Sequence, residues 1–421
     1  MSRSKRIAIV GGGQAGLQLA HGLVADGVDV TLITDRDSDA LRGGRVLSTQ
    51  CMFDSSLALE RELGLDLWPE ETPQIRGIRY SVGEPDGGLA LQFGGRLAAP
   101  AQSVDQRRKM AAWLELLEER GGRVLIESLE PEDLDGLAEE HDLVVLAAGK
   151  RGFGELLDRV FPRDPARSPY DRPQRNLAVA YLRGYAPLDS SYFSINIVPG
   201  VGECFVGPAL TVDGPCFTIC FEALFGGPMD RFDEVPLDDE ARWLETSRGL
   251  LERFMPWEAE RWTDDVRLTD AGGTLKGALT PAVRHAAGRL PSGRPILGLG
   301  DLVVQNDPLV GQGSNSAAKA ADVVRRAVAE RGDGPLDQGW VGAVADRCWR
   351  VAEHPTAFTN LLLNPPPHLG GLFDAAAASP AFADRLAAGS NDPSTLFPWI
   401  GSAEGIREAA AETEAQAETV R

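Results

Sequence analysis

The sequence predicts an α/β fold: a Rossmann-type nucleotide-binding layer interrupted by β-rich segments. Three observations carry that reading. Residues 6–35, RIAIVGGGQAGLQLAHGLVADGVDVTLITD, read as strand, glycine turn, helix and strand. A second strand, glycine-rich loop and long helix occupy residues 294–328. Between them the hydrophobic pattern turns twice to alternation with period two, over residues 75–97 and again over 174–222, as antiparallel strands require.

Within the first stretch, residues 7–10 are a short apolar run of the kind that forms a buried parallel strand, and Gly11, Gly13 and Gly16 complete G-x-G-x-x-G at the start of a helical pattern. Gly11 allows the sharp turn out of the strand, Gly13 lets backbone approach a pyrophosphate, and Gly16 lets the helix lie close to the sheet. The helix N-terminus then offers phosphate its N–H groups and a favourable dipole. Residues 28–33 make the next strand. Asp35 at its end, with Arg36 beside it, is placed to hold an adenosine ribose lacking a 2′-phosphate. A tight glycine turn in some other α/β protein is the alternative, and the strand before, the helix after and the acid in place argue against it. These residues alone leave FAD and NAD open.

Composition narrows the function classes. The chain has 421 residues, 43% of them hydrophobic and 25% charged, which is ordinary for a globular protein with ample core. Its formal net charge of −20 argues against nucleic acid as a partner, since phosphate binding needs clustered positive charge. No 18-residue apolar run occurs, and the first strand begins too early for a signal peptide, so a cytoplasmic protein with no membrane partner is expected. Five cysteines and five histidines show no zinc spacing, so no metal site is expected and the thiols read as reduced. A Cys216–Cys220 redox pair is one reading of that stretch; packing within a period-two strand is the other.

Taken in order, the loop GGRVLSTQ at 43–50 leads into a helix over 55–63. Residues 75–97 leave the nucleotide layer as an antiparallel excursion, and residues 103–120 form an amphipathic helix closed by Gly121 and Gly122. A strand at 123–126, an acidic helix near 131–137 and a strand at 142–148 restore the α/β pattern. The run DLVVLAAGK ends in small residues, which suits close approach of backbone to a cofactor at Gly149. Residues 174–222 are β-rich, 236–262 helical, and 266–269 strand-like. VPGVGECFVG lacks a strand followed by a helix and is rejected as a second nucleotide site.

The second strong signal is RPILGLGDLVVQNDPLVGQGSNSAAKAADVVRRAV. A strand ends in Gly300 and Asp301, a loop holds Pro308, Gly311, Gln312 and Gly313, and a long helix begins near Ser314. A second helix N-terminus in a glycine-rich loop is what the far end of an extended cofactor needs. Asp301 is expected at a ribityl hydroxyl or the pyrophosphate, or else serves as a turn residue. The backbone at Gly311 and Gly313 is expected against a flavin pyrimidine, where the dipole favours an anionic ring.

These motifs carry a family resemblance. RIAIVGGGQAGL, GGRVLST, GRLAAPAQSVDQR with its helix, EEHDLVVLAAGK and GLGDLVVQNDPLVGQGSNSA together resemble the FAD-dependent oxygenase component of two-component styrene and indole monooxygenases, from residue 5 to about residue 360. The resemblance implies a fold like p-hydroxybenzoate hydroxylase. A discontinuous FAD-binding domain would span 1–72, 103–170 and 285–335, with a β-rich substrate domain at 73–102 and 171–284, C-terminal helices at 336–402 and a tail at 403–421. It implies reduced FAD delivered by a separate NADH-dependent flavin reductase, and an oxygen atom passed from a flavin C4a-hydroperoxide to the C=C of a small aromatic or alkenyl substrate. A homodimer is among the assemblies it leaves open.

By position, Gly11, Gly13, Gly16, Asp35, Arg36, Arg45, Arg107, Asp301, Pro308, Gly311, Gln312 and Gly313 are the expected cofactor contacts, and Arg45, Leu47, Ser48, Gln50, Ile78 and Ala101 the flavin and substrate pocket. Arg107 is alternatively a solvated helix charge. No catalytic side chain is required, because epoxidation needs neither nucleophile nor general base. The chain departs from the family where Arg-x-Leu-Asn-Thr becomes Arg45-Val46-Leu47-Ser48-Thr49, where Gln50 adds a polar group, and where Ile75, Ile78 and Ala101 replace larger or polar residues. The pocket is therefore expected to be reshaped. Residues 361–363 read as helix packing before a proline stop rather than as a substrate wall, and the Ala/Glu-rich tail as a marginal helix or a disordered segment without a role. Competing readings are an aromatic hydroxylase, a flavin-dependent double-bond reductase, and a flavin-binding scaffold without turnover.

Overall fold

The computed structural model describes residues 4–148, 153–186 and 191–420. The chain opens with β1 (Arg6–Val10), α1 (Gln14–Ala25) and β2 (Asp29–Thr34). Ile7, Ala8 and Ile9 are fully buried, as in a parallel strand covered on both faces. After α2 (Ser38–Arg42) and α3 (Asp54–Glu62) the chain departs into a hairpin, β3 (Ile75–Gly83) and β4 (Leu89–Ala101). It returns through α4 (Gln106–Glu119), β5 (Arg123–Ile126), α5 (Asp133–Glu140), β6 (Leu143–Leu146) and α6 (Gly154–Val160). A second excursion follows: β7 (Asn176–Tyr185), β8 (Tyr192–Val198), β9 (Gly202–Thr211), β10 (Gly214–Ala223), α7 (Glu240–Phe254), α8 (Pro256–Ala259), β11 (Trp262–Leu268) and β12 (Thr274–Gly277). Short strands β13 (Ala282–Val283), β14 (Ala287–Arg289), β15 (Pro295–Gly298) and β16 (Val304–Gln305) lead to α9 (Gly313–Arg331). The helices α10 (Gln338–Leu363), α11 (Gly370–Ala378), α12 (Pro380–Ala388) and α13 (Ala403–Val420) complete the chain.

The βαβ-rich segments build one sheet in the order β14-β15-β6-β1-β2-β5, parallel except at β14. The two excursions build the other, β11-β7-β10-β9-β8-β3-β4 with β12 on β7, antiparallel except where β3 meets β8. The α/β reading with a β-rich second layer and a helical C-terminal part is thus the architecture observed. The glycine turn works by proximity. Gly11 has φ +124°, and a Cβ on it would lie 2.6 Å from the Ala147 carbonyl at the end of β6. A Cβ on Gly16 would stand 2.0 Å from the Gly11 oxygen, so α1 sits against β1 only because both are glycine.

Two open sequence readings are decided. The tail folds as α13, with Ile406 and Ala409 buried beside Leu372, Phe382 and Leu386 and with Arg385 donating to the Ala409 carbonyl and the Thr413 hydroxyl. Burying one apolar face against α11 and α12 orders a segment whose composition alone gives weak helix stability. Cys216 and Cys220 are free and buried on β10. Four residues along a strand separate them by ~13 Å, beyond disulfide reach, so they are packing residues. The expected backbone approach at Gly149, with Lys150 next to it, lies outside the described residues. Among the described residues no helix is long and apolar enough to cross a membrane, and no group of three potential ligands is placed to hold a metal ion.

Candidate active site

Strands β1, β2, β6 and β15 run parallel, so their C-terminal ends share one edge of the sheet, and α1 starts there. That edge gathers Gly11, Gly13, Gly16, Asp35, Arg36 and Asp301, half of the expected cofactor residues. Gly13 is the N-cap of α1, extended at φ −90° and ψ −175°, with no side-chain cap. A Cβ on it would meet nothing within 4 Å, so the approach to the helix N-terminus is open. Asp35 projects into solvent at the end of β2, with the Arg36 guanidinium 3.6 Å away. Gly300 brings the turn that carries Asp301 onto the start of α1, since a Cβ on it would stand 3.1 Å from the Ala15 methyl. Two sequence-distant signals therefore meet at one crevice, at the strand ends where open α/β sheets bind ligands.

The second glycine loop continues from there. Asp307 Oδ1 accepts from the Leu309 N–H at 3.2 Å and starts the single turn Pro308–Val310. Gly311 then takes the left-handed conformation, and α9 begins without a side-chain cap. A Cβ on Gly311 or Gly313 would meet nothing within 4 Å. Gln312 is buried, its Nε2 donating to the Ser390 carbonyl at 2.7 Å while its Oε1 has no partner among the described residues.

The irregular segment 43–53 is stitched to everything around it. The Val46 N–H donates to the Gly272 carbonyl at 3.0 Å, and Met52 exchanges backbone hydrogen bonds with Gln102 at 2.7 and 3.0 Å. Gln106 Nε2 donates to Ser48 Oγ at 2.8 Å, and Gln50 Nε2 to the Val104 carbonyl at 2.5 Å. Asn315, in the first turn of α9, accepts from the Phe53 N–H at 2.9 Å and donates to the Cys51 carbonyl at 2.8 Å and the Gly311 carbonyl at 2.9 Å. One amide thus ties this segment to the glycine loop.

Beside these two segments lies a cavity of about 360 Å³. Its walls are mostly apolar, with Ile78, Phe193, Ile195, Phe205, Phe358 and Leu362 prominent. Gln50, Ile78, Pro308 and Gly311 are among its lining residues. Four expected pocket residues are not. Arg45 turns to the β-rich layer, donating to Thr274 Oγ1 at 2.6 Å and the Leu237 carbonyl at 3.1 Å. Leu47 packs into the core beneath the parallel sheet. The Ser48 hydroxyl is engaged by Gln106, and Ala101 is fully buried opposite Ile75, behind the wall. The proline stop after α10 is also revised, since Leu362 and Pro365 are wall residues as well as packing ones.

Arg107 differs from both expectations for it. It is 1% exposed, hence no solvated charge. Its guanidinium donates to Asp105 Oδ2 at 2.9 and 2.7 Å, to Asp270 at 2.8 and 2.9 Å, and to the Gly44 carbonyl at 3.2 Å. All five N–H donors are thereby matched by protein oxygens, and it holds loops together instead of facing the crevice. Burial alone would raise the Asp270 carboxyl, but the Arg107 hydrogen bonds and charge outweigh it and hold that group below its usual range.

The cavity wall is chemically quiet. Burial pushes the Cys51 thiol up to about 12 and Cys220 well above its usual value, so neither is an activated nucleophile. Arg175 and Glu203 neutralise each other in a bidentate pair at 2.8 and 3.0 Å. Glu222 is buried and pushed well above the usual carboxylate range, first by burial and then by the charge of Asp307. Asn315, Arg175, Glu203, Glu222, Phe193 and Phe358 escaped the sequence reading. Only Asn315 left a local sign, a polar residue on what becomes the buried side of a helix start; the others meet through long-range strand pairing.

Comparison with known proteins gives the family. The family model "Styrene monooxygenase A putative substrate binding domain" matches residues 149–261. Styrene monooxygenase StyA of Pseudomonas fluorescens is 35% identical over 323 residues, 75% of this chain and 75% of that protein, and a Pseudomonas sp. StyA matches equally. Among solved structures, the flavin-dependent halogenase CmlS shares the fold at TM-score 0.65 and 16% identity, covering 97% of this chain and 72% of that one. A flavoprotein/dehydrogenase from Cytophaga hutchinsonii does so at TM-score 0.68 and 12% identity, covering 99% and 100%.

Replacing Arg107 with methionine strands the fully buried Asp105 carboxylate and is expected to destabilise the fold by ~3–5 kcal/mol, read as a lower Tm. Arg107→Lys should not restore it, because one ammonium cannot span two carboxylates; a wild-type Tm for the lysine variant would contradict the fork geometry. Asp270 adds stability above the usual carboxylate range that disappears as pH falls through its lowered value, so the gap between wild type and Arg107→Met should narrow on acidification.

Proposed function

Because the chain belongs to the styrene monooxygenase family of flavoproteins, we propose that it is the FAD-dependent oxygenase of a two-component system, inserting one oxygen atom of O₂ into the C=C of an aromatic alkene or indole-like substrate. The observation that carries this reading is the apolar cavity lined by Pro308 and Gly311 at the glycine loop before α9, in a chain whose α1 N-terminus is open at Gly13. About 360 Å³ suits a small aromatic molecule beside a flavin ring edge.

The residues present fit FAD. Gly13 leaves the space a pyrophosphate would fill, Asp35 is placed for a ribose, and Asp301 lies between the two helix starts. The buried Gln312 Oε1 and Gln50 Oε1 lack donors among the described residues, which suits the N–H groups of a flavin ring. Bound reduced FAD would supply the activation of O₂. The product epoxide takes one oxygen atom, and the other leaves as water. The chain's own contribution is to exclude water with Ile78, Phe193, Ile195, Phe205, Phe358 and Leu362, to hold the alkene in one orientation, and to keep the Cys51 thiol protonated so that it does not intercept the oxidant. Electrons would come from a separate NADH-dependent flavin reductase, a reading supported by the single dinucleotide fingerprint in this sequence.

The direct test mixes the protein anaerobically with reduced FAD, admits oxygen in a stopped-flow spectrometer, and adds styrene or indole. Flavin reoxidation is expected to be slower than in free solution and hastened by substrate, with epoxide or indigo as product. Reoxidation at the free-solution rate without product would defeat the oxygenase reading and favour a reductase or a non-catalytic flavin binder.

A single substitution separates fold from cofactor binding. Aspartate is a preferred N-cap and interacts well with the helix dipole, so Gly13→Asp should leave Tm unchanged or raised. The same carboxylate would repel a pyrophosphate and is expected to weaken FAD binding at least about tenfold, or ~1.4 kcal/mol. Unchanged affinity would place the phosphates elsewhere.

A further inference from the structure

Strand β10 carries Glu222 to the cavity wall, where the residue is 1% exposed. Neither carboxyl oxygen has a hydrogen-bond partner of ordinary donor type among the described residues. The Asp307 carboxyl, itself 2% exposed, is buried with it and is the charged group that acts most strongly on it. Asp307 stands immediately before Pro308, and its Oδ1 caps the turn Pro308–Val310 that ends in the left-handed Gly311. The nearby cation is already committed, since Arg175 binds Glu203 through Nε and Nη2 and donates Nη1 to the Gln174 carbonyl at 3.1 Å. Two buried carboxyls facing each other without a donor between them do not both ionise. One proton held between them satisfies both.

We propose that Glu222 is a positioning residue of the site, fastening residues 307–313 to β10 through one proton shared with Asp307, so that alignment of the loop bordering the cavity depends on that proton. The link itself belongs to the ligand-free protein; its bearing on cofactor binding rests on the flavin reading above.

The groups facing the pair are Arg175 ahead of β7, Glu203 and Cys204 on β9, Cys220 on β10, and Tyr170. Burial pushes both thiols and the Tyr170 hydroxyl up, and the Tyr170 shift is reinforced by the charge of Asp307. Burial likewise raises Glu222 and Asp307. A raised carboxyl contributes its link in full below the ordinary carboxylate value and loses it as pH climbs through the raised value. Two negative charges then face each other, and the loop loosens.

The test is hydrogen exchange of peptides covering residues 307–313 in the ligand-free full chain, corrected for intrinsic rates, from about pH 4, the ordinary carboxylate value, to about pH 9.5. Wild type is expected to lose at least about tenfold in protection across that range, the change that one titrating proton produces per pH unit. Glu222→Gln donates an amide N–H to Asp307 at every pH, so its protection should stay high and flat. Glu222→Leu keeps the volume without the link and should show low, flat protection. A wild-type profile that is flat, or shared by Glu222→Gln, would overturn the proposal. Affinity for oxidised FAD, followed by fluorescence quenching in parallel, should track the wild-type exchange profile. A protein that binds no FAD at any pH yet shows the exchange profile would defeat the flavin reading while supporting the shared-proton link.

Discussion

The site depends on one constraint: between its local bonds to α2 and α3, the irregular segment 43–53 has no regular hydrogen-bonding of its own and must borrow it from elsewhere. Buried backbone groups are paired somewhere, and here the partners come from three directions. Gly272, Thr274 and Leu237 take the segment's first half from the β-rich layer, Gln102, Val104 and Gln106 hold its middle, and Asn315 closes its end on α9. Arg107 secures the entry by binding Gly44 and Asp270 at once. A segment fixed in this way has little freedom to drift, which is why Gln50 and Cys51 face the cavity in a defined manner although they lie in no helix or strand.

The same stitching explains how two layers cooperate. The parallel sheet offers a helix N-terminus with nothing in front of it, and the antiparallel sheet offers an apolar floor. Neither alone would make a site for an extended cofactor and a small aromatic substrate. Asn315 joins Cys51, Phe53 and Gly311, so the loop at the end of one layer and the segment crossing to the other share a single amide. With wall thiols kept protonated and the Arg175–Glu203 pair neutral, the protein supplies shape, dryness and orientation, and leaves the reactive chemistry to what it binds.

What the sequence disclosed follows physical locality. The βαβ unit, the long helix after the second glycine loop and the antiparallel excursions were legible because each depends on the spacing of glycine or apolar residues within a few turns of chain. Gly11 and Gly16 were readable for the same reason, their roles being set by backbone approach. The orientations of Arg45, Leu47, Ser48 and Ala101 were not legible, since they are decided by partners such as Thr274 and Gln106 far away in sequence. Arg107 read as a cofactor contact or a solvated helix charge because its second carboxylate, Asp270, lies 163 residues on. The Glu222–Asp307 contact joins a strand to a loop in another layer, and no local pattern marks it. The C-terminal helix was undervalued because its stability comes from Ile406 and Ala409 packing on α11 and α12, and little of it from its own alanines and glutamates.

On the proposed reading, the open start of α1 and the glycine loop of α9 hold two ends of one flavin cofactor whose ring borders the apolar cavity. The most direct measurement is a crystal structure of the protein soaked or grown with FAD. The account predicts the pyrophosphate against Gly13, the ribose at Asp35 and the ring edge along the backbone of Gly311 and Gly313, with Gln50 or Gln312 Oε1 accepting from a ring N–H. Ring density lodged away from residues 311–313, or phosphates bound anywhere but the start of α1, would contradict it.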